Sequence, residues 1–372
     1  MTREAQFHRN QHPKTLLLGI HAPYNTTKDI DSYFQEFINL VKSNGVPYDY
    51  ELFIKLREVD NGYFLTKGKL EEIKTFCDEN FVEEVIISEP LTGQQERNLR
   101  DLLRCEIFDR TQLILEIFEK NAHSAEGKIQ VEIAMLEYKK TRLAGRGKYM
   151  SQQAGRIGSK GPGETQKEKD TRHIERAIFT LKRHLEKMHK ARDTQRKQRL
   201  GSALPLMCLI GYTNAGKSTL LNALTKSTVL AEDRLFATLD TTTRELYLDH
   251  KKVGLMSDTV GFIQLLPHHL IEAFKSTLSE LQYADLLLHV VDISDPNWES
   301  HIAVVHKVLA ELGIDKEMVY VFNKADKVPL IHFMKGSLEV YDPHVVISSI
   351  SKEGLDPLIE FIKDWTASRK TS

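Results

Sequence analysis

Residues 211 to 218 read Gly-Tyr-Thr-Asn-Ala-Gly-Lys-Ser, preceded by the apolar run Leu206 to Ile210 and followed by the helix-like stretch Thr219 to Thr225. The pattern G-x-x-x-x-G-K-[ST] between a strand and a helix constrains the chain more than any other segment, because it implies an α/β layer with a phosphate-binding loop at a strand end. Glycines let the backbone curl so that successive N–H groups point at phosphates, and the helix N-terminus adds partial positive charge. Lys217 is placed to bridge β- and γ-phosphates, and the Ser218 hydroxyl to ligate Mg²⁺.

Four further segments follow in a fixed order: Phe236-Ala237-Thr238-Leu239-Asp240, Asp258-Thr259-Val260-Gly261, Asn323-Lys324-Ala325-Asp326 and Ser348-Ser349-Ile350. Asp258 follows the strand-like Val253 to Met256, where a carboxylate supports a Mg²⁺ shell. Gly261 has no side chain, so its N–H can approach a γ-phosphate. The run Asn323 to Asp326 follows the buried-strand run Met318 to Phe322. The Asp326 carboxylate only accepts hydrogen bonds, which matches the two N–H donors on the Watson–Crick edge of guanine and leaves adenine unmatched. Ser348 to Ile350, after strand-like Val345 to Ile347, supplies loop backbone over the base. The five segments together predict a GTP-binding and GTP-hydrolysing switch domain, with Lys217, Gly261 and a switch threonine as its catalytic set and Mg²⁺ and GTP or GDP as its ligands.

Many GTPases carry a water-orienting Gln after the glycine at position 261; here the residue is Phe262. An apolar side chain cannot orient the attacking water, so the expectation is slow intrinsic hydrolysis accelerated by a partner. Asn214 fits two readings, a marker of K⁺-dependent hydrolysis or a residue that stabilises the loop turn. Leu235 to Arg244 is expected to be the first switch, in which a Thr hydroxyl completes the Mg²⁺ shell only with a γ-phosphate present. Thr238, Thr242 and Thr243 all qualify, and spacing does not separate them.

At 372 residues with 41% hydrophobic residues, the chain has material for two or three domains. Three cysteines, Cys77, Cys105 and Cys208, lack metal-ligand spacing and read as core thiols of a reducing compartment. No apolar run approaches membrane-spanning length, and Met1 to Lys14 lacks a signal-peptide core, so a cytoplasmic protein without a membrane partner is expected.

The net charge of −1 conceals a polarity. Lys139 to Leu200 holds nineteen Lys and Arg against six Asp and Glu, a local charge of +13 that leaves −14 on the remainder. That asymmetry points to a polyanionic partner. Ile129, Ile133, Leu136 and Leu143 form one helical seam, and Ile174, Ile178, Leu181, Leu185 and Met188 another. The pattern predicts a basic antiparallel hairpin over 126–203, between an N-terminal α/β domain over 1–125 and the GTPase domain over 204–372. Its Gly-rich tip, Ala144 to Gln166, offers Arg146, Lys148, Arg156 and Lys160 to phosphates and Tyr149 to an unpaired base. RNA is favoured over duplex DNA, since no helix-turn-helix or finger signature appears. The competing reading is a solvated connector.

In the N-terminal part, strand-like Thr15 to Ile20 and Val82 to Ser88, with helix-like Asp29 to Ser43 and Gly93 to Leu103, predict a small α/β domain with a partly parallel sheet. Lys67-Gly68-Lys69 reads as the start of a capped helix rather than a second nucleotide site.

Gly145-Arg146-Gly147, the run Gly158 to Gln166, the phosphate loop Gly211 to Ser218 and Asp258-Thr259-Val260-Gly261-Phe262 together resemble the HflX family of ribosome-associated GTPases. The resemblance spans about Thr15 to Trp365, and the Gly-Pro-Gly-Glu-Thr run is its most specific element. It implies a P-loop GTPase domain with a mixed, mostly parallel sheet, preceded by a small α/β domain and a basic helical hairpin. By the same resemblance the large ribosomal subunit and its rRNA are the partners of a free monomer. The resemblance further implies that the hairpin tip reaches RNA near the peptidyl transferase region and that the GTP-bound protein splits or rescues stalled ribosomes. Ser218 and Thr238 are implied as Mg²⁺ ligands. Thr241 stands where the family usually has proline, which predicts a more mobile switch loop, and an end soon after Trp365 predicts that the C-terminal domain of some members is missing. A reading from another class is an RNA-binding ribosome assembly factor whose nucleotide site is structural.

Overall fold

The computed structural model describes residues 12–25, 27, 29–143, 166–200, 204–225, 234–239, 241–265, 270, 278–329 and 335–369. The chain divides into two compact units, Met1–Ile117 with Glu132–Lys182 and Phe118–Val131 with Arg183–Ser372.

The first unit is built on four strands, β1 (Thr15–His21), β2 (Tyr50–Lys55), β3 (Glu84–Ile87) and β4 (Glu106–Asp109), in the order β2-β1-β3-β4. All three pairings are parallel, where the sequence predicts a partly parallel sheet. The reason is connectivity, since a helix joins each strand to the next and returns the chain to the same edge. These helices are α1 (Ile30–Asn44), α2 (Lys67–Asn80) and α3 (Gly93–Leu103). Asp29 caps α1 by accepting from the Ser32 N–H, and Thr92 with Gln95 forms a capping box on α3. Helix α2 begins where Lys67 predicts it, although its N-cap Thr66 makes no side-chain cap bond. Leu16, Leu18, Val85, Ile87 and Ile107 fill the core against Leu70, Ile73 and Leu99, and Cys77 and Cys105 are buried thiols within it.

Helix α4 (Arg110–Asn121) starts directly after β4. Arg110 is fully buried and pairs with Glu36 of α1, an arrangement stable only because the charge is met in place. Helices α5 (Ala125–Leu143) and α6 (Gln166–Leu200) carry the two predicted seams. Within the first unit Lys182 pairs with Glu137 at 2.9 Å and Lys140 with Glu175 at 2.7 Å, partners that run in opposite directions along the chain, so the helices are antiparallel there. On α6, Ile178 is buried while Lys169, Arg176, Lys182 and Lys187 are exposed, as an apolar seam with a basic outer face requires.

The second unit holds a six-stranded sheet in the order β10-β9-β8-β5-β7-β6. Its strands are β5 (Leu206–Gly211), β6 (Thr242–Leu248), β7 (Lys251–Asp258), β8 (Leu286–Asp292), β9 (Met318–Asn323) and β10 (His344–Val346). Among these described strands only β6 runs antiparallel, joined to β7 by a tight turn at Asp249 and His250, both at positive φ. Around the sheet lie α7 (Lys217–Thr225), α8 (Trp298–Glu311), α9 (Lys335–Leu338) and α10 (Asp356–Ser368). Met207, Leu209, Leu288, Val290, Val319 and Val321 form continuous apolar strands, as expected of a parallel sheet covered on both faces.

Candidate nucleotide site

The C-terminal ends of β5, β7, β8 and β9 meet at one edge of the second sheet, where the predicted motifs lie. Gly211 ends β5 at φ 149, and a Cβ there would sit 2.2 Å from the Val290 carbonyl oxygen. Gly216 has φ 94, and a Cβ on it would meet Asn323 Nδ2 at 2.3 Å. No other residue type fits either position, so the loop path is fixed by its two glycines.

Lys217 opens α7 with its ammonium folded under the loop, donating to the Tyr212 carbonyl at 2.8 Å and to the Gly211 carbonyl at 3.2 Å. Burial pushes its pKa down to about 8, with the Asp258 carboxylate opposing that shift. Burial likewise raises the Asp258 carboxyl above its ordinary range, opposed first by Lys217 and then by the Ser218 hydroxyl. Ser218 Oγ donates to Asp258 Oδ2 at 2.6 Å and lies 2.7 Å from Thr238 Oγ1. Three hard oxygen donors therefore converge beside one ammonium, the donor set that suits Mg²⁺. Of the three candidate threonines, only Thr238 reaches this point. Thr242 and Thr243 lie in β6, with Thr243 Oγ1 bonded to Ser257 Oγ.

Gly261 approaches the same place from β7, and a Cβ on it would meet Thr213 Cγ2 at 2.8 Å and Lys217 Nζ at 3.0 Å. Phe262 is buried at 1% exposure, so its ring is core and only its backbone serves the site. That backbone is stitched to the phosphate loop, since Thr213 N–H donates to the Phe262 carbonyl at 2.8 Å and Phe262 N–H to the Gly211 carbonyl at 3.2 Å. Tyr212 adds a third tie: its hydroxyl accepts from Gln264 N–H at 2.8 Å while its ring stacks on His301 at 3.8 Å. Thr259 donates to the Leu209 carbonyl, which locks β7 beside β5, and Val260 is buried.

At the base end, Asn323 Nδ2 donates to the Ala215 carbonyl at 2.9 Å and its Oδ1 accepts from Ser349 N–H at 3.1 Å. Lys324 reaches back to the Asn214 carbonyl at 2.8 Å and pairs with Asp292 at 2.6 Å. Ala325 N–H donates to the Ile347 carbonyl, and Ser348 Oγ donates to Asp326 Oδ1 at 2.6 Å, which leaves a lone pair on each carboxylate oxygen for the two donors of a guanine. Ile350 is exposed.

Thr213, Asn214, Gly216, Lys217, Ser218, Thr219, Phe236, Ala237, Thr238, Thr259 and Gly261 line one cleft, together with Arg234, which the motif pattern does not include. Leu239 is buried, while Asp240 and the tip residues Arg146, Lys148, Tyr149, Arg156 and Lys160 lie outside the described residues. Asp292 is a second residue that motif reading misses, although its place at a strand end, next to the β9 loop, is the available signal.

The family described as "50S ribosome-binding GTPase" matches residues 206–324, that described as "GTP-binding GTPase N-terminal" residues 31–119, and the "GTP-binding GTPase Middle Region" residues 121–199. The GTPase HflX of Caldanaerobacter subterraneus is 46% identical over 83% of this chain and 71% of its own length. This chain belongs to the HflX family of GTPases. The HflX protein of Lacrimispora saccharolytica is 44% identical over 92% of this chain and 81% of its own, and that of Escherichia coli 40% over 82% and 72%. A solved structure described as an SsGBP and GDP complex shares the fold, with a TM-score of 0.51 at 24% identity over 95% of this chain and 99% of that one. The chain is thus an HflX-family GTPase with a P-loop GTPase fold.

Proposed function

We propose that this protein is a GTP-driven switch that binds the large ribosomal subunit through its basic hairpin and splits or rescues stalled ribosomes. The observation that carries the reading is the meeting of Ser218, Thr238 and Asp258 oxygens beside Lys217. It joins the first switch to the phosphate loop at the point where a γ-phosphate changes the contacts. Ser218 and Thr238 hold Mg²⁺, which when bound neutralises charge on the phosphates. Lys217 neutralises the β/γ bridge, the Gly261 N–H faces the γ-phosphate, and Asp326 with Lys324 and Asn323 holds guanine. Asn214 lines the phosphate cleft at φ 59, a place from which it either supports K⁺ as a further cation or stabilises the loop turn, and the Na⁺ arm of the test below separates the two.

With the Phe262 ring in the core, the second switch offers no side chain at that position to orient water, so the free monomer turns over slowly and the ribosome supplies the missing order. Arg146, Lys148, Arg156 and Lys160 neutralise rRNA phosphates and Tyr149 stacks on a base. For the switch to work, the GTP form must bind the subunit more tightly than the GDP form, by about 1.4 kcal/mol for each tenfold. The test is steady-state GTP hydrolysis with and without purified large subunits, in K⁺ and then Na⁺ buffer. Strong stimulation, diminished in Na⁺, is the expected result. No stimulation in either salt would shift the reading to an RNA-binding assembly factor.

A further inference from the structure

Thr238 is the only described switch-I side chain that reaches the Ser218 hydroxyl, and its position is set two residues earlier. Phe236 sits at φ 58, a left-handed conformation that a bulky side chain adopts only when its surroundings impose it. Two residues impose it here, both from the end of α4 and both in the second unit. Asn121 Nδ2 donates to the Phe236 carbonyl at 2.7 Å. The Phe118 ring meets the Phe236 ring edge-to-face at 4.7 Å and 83°. Phe118 and Phe236 are 1% and 2% exposed, so the grip is a dry one. Neither Phe118 nor Asn121 falls in the stretch 206–324 matched as a GTPase domain.

We propose that Phe118 and Asn121 are positioning residues for GTP hydrolysis, holding Phe236 so that Thr238 is delivered to the metal-binding oxygens. This role rests on the reading of Thr238 as a Mg²⁺ ligand in the GTP form. Only Ala237 separates the clamped residue from Thr238, so the threonine has one residue of slack rather than a whole loop. Ordering a free loop onto the γ-phosphate would draw on nucleotide binding energy, and a loop anchored by protein at one end has less left to order. The grip bears on nucleotide binding in the GTP form alone, because a switch-I threonine has no γ-phosphate to answer in the GDP form. An ordinary core contact would instead lower stability and weaken both nucleotides alike.

The experiment uses the full chain with Asn121→Asp, which keeps the side-chain shape but turns an acceptor toward the Phe236 carbonyl, and Phe118→Leu, which keeps apolar volume without the ring edge. Binding of fluorescent GDP and of a non-hydrolysable GTP analogue is titrated across Mg²⁺ concentration, alongside kcat and KM for GTP. In both variants the Mg²⁺ half-saturation for the GTP analogue should rise, and kcat should fall, by up to roughly tenfold, the effect of about 1.4 kcal/mol for one lost hydrogen bond in Asn121→Asp or one lost ring pair in Phe118→Leu. GDP affinity should stay at the parent value. Thr238→Ala should show the same pattern, and adding Asn121→Asp to it should change nothing further.

Parent-like Mg²⁺ dependence in Asn121→Asp and Phe118→Leu, with Thr238→Ala impaired, would overturn the positioning role while leaving the Thr238 assignment standing. An unaffected Thr238→Ala would overturn both. Equal loss of GDP and GTP affinity in the two clamp variants would mark the contact as fold stability only. If Asn121→Asp fails to fold, Phe118→Leu is measured in the same way and decides between the same outcomes.

Discussion

Single residues decide the chemistry at the cleft, and two of them make sharp predictions. Asp326→Asn presents an amide in place of one carboxylate oxygen, so one guanine donor faces a donor. Preference for GTP over other purine triphosphates should fall roughly 10- to 150-fold, the worth of one charge-assisted bond, in competitive binding. Gly261→Ala puts a methyl group 2.9 Å from the Thr213 backbone and 3.0 Å from Lys217 Nζ. GTP turnover should drop roughly a hundredfold, as when an oxyanion donor is displaced, while GDP affinity stays near the parent value. Both assignments come from motif order alone, because the chemistry of the phosphate and of the base dictates residue type at fixed places. The threonine proposed for the metal is not read from spacing, which leaves Thr238, Thr242 and Thr243 equivalent; in the fold Thr242 and Thr243 lie in β6, while Thr238 Oγ1 lies 2.7 Å from Ser218 Oγ. Asn121 is hidden for the same reason, since its partner Phe236 is 115 positions away.

At the scale of elements, the sequence is readable where periodicity is long and silent where it is short. Strands β1, β5 and β9 announce themselves as apolar runs, and α3 matches its predicted span, Gly93–Leu103. Strand β4 has only four residues, too few for a period, and α4 follows it with no intervening turn to mark a start. β8 carries a feature that its apolar run obscures. His289 lies between Ile210 of β5 and Tyr320 of β9, and burial, with His306 and Lys217 adding to it, lowers its pKa to about 3. In the unfolded chain the imidazole titrates near about 6.5. Below that pH the unfolded state binds a proton that the folded state refuses, so stability is full above it and declines as pH falls toward the folded value. The slope reaches about 1.4 kcal/mol per pH unit from this one group. His289→Leu should therefore flatten the loss of melting temperature between about pH 6 and 4, read by calorimetry or fluorescence at each pH.

At the scale of the molecule, charge and nucleotide chemistry are separated along the chain. The stretch from Lys139 to Leu200 carries +13 and the remainder −14, so the proposed polyanion contact can be mutated apart from the GTP site. Replacing Arg146, Arg156 and Lys160 with Glu should abolish sedimentation with large ribosomal subunits and leave intrinsic GTP hydrolysis at the parent rate; retained sedimentation would remove the tip from the interface. Composition gives no sign that α4 is divided between the two units. Its first residue, Arg110, is buried with Glu36 in the first unit, and its last turn grips Phe236 in the second. Swapping GTPase domains between relatives at residue 204 would therefore pair one parent's switch loop with the other's clamp. Such chimeras should inherit mismatched catalytic rates even when both halves fold, unless the graft also carries Phe118 and Asn121.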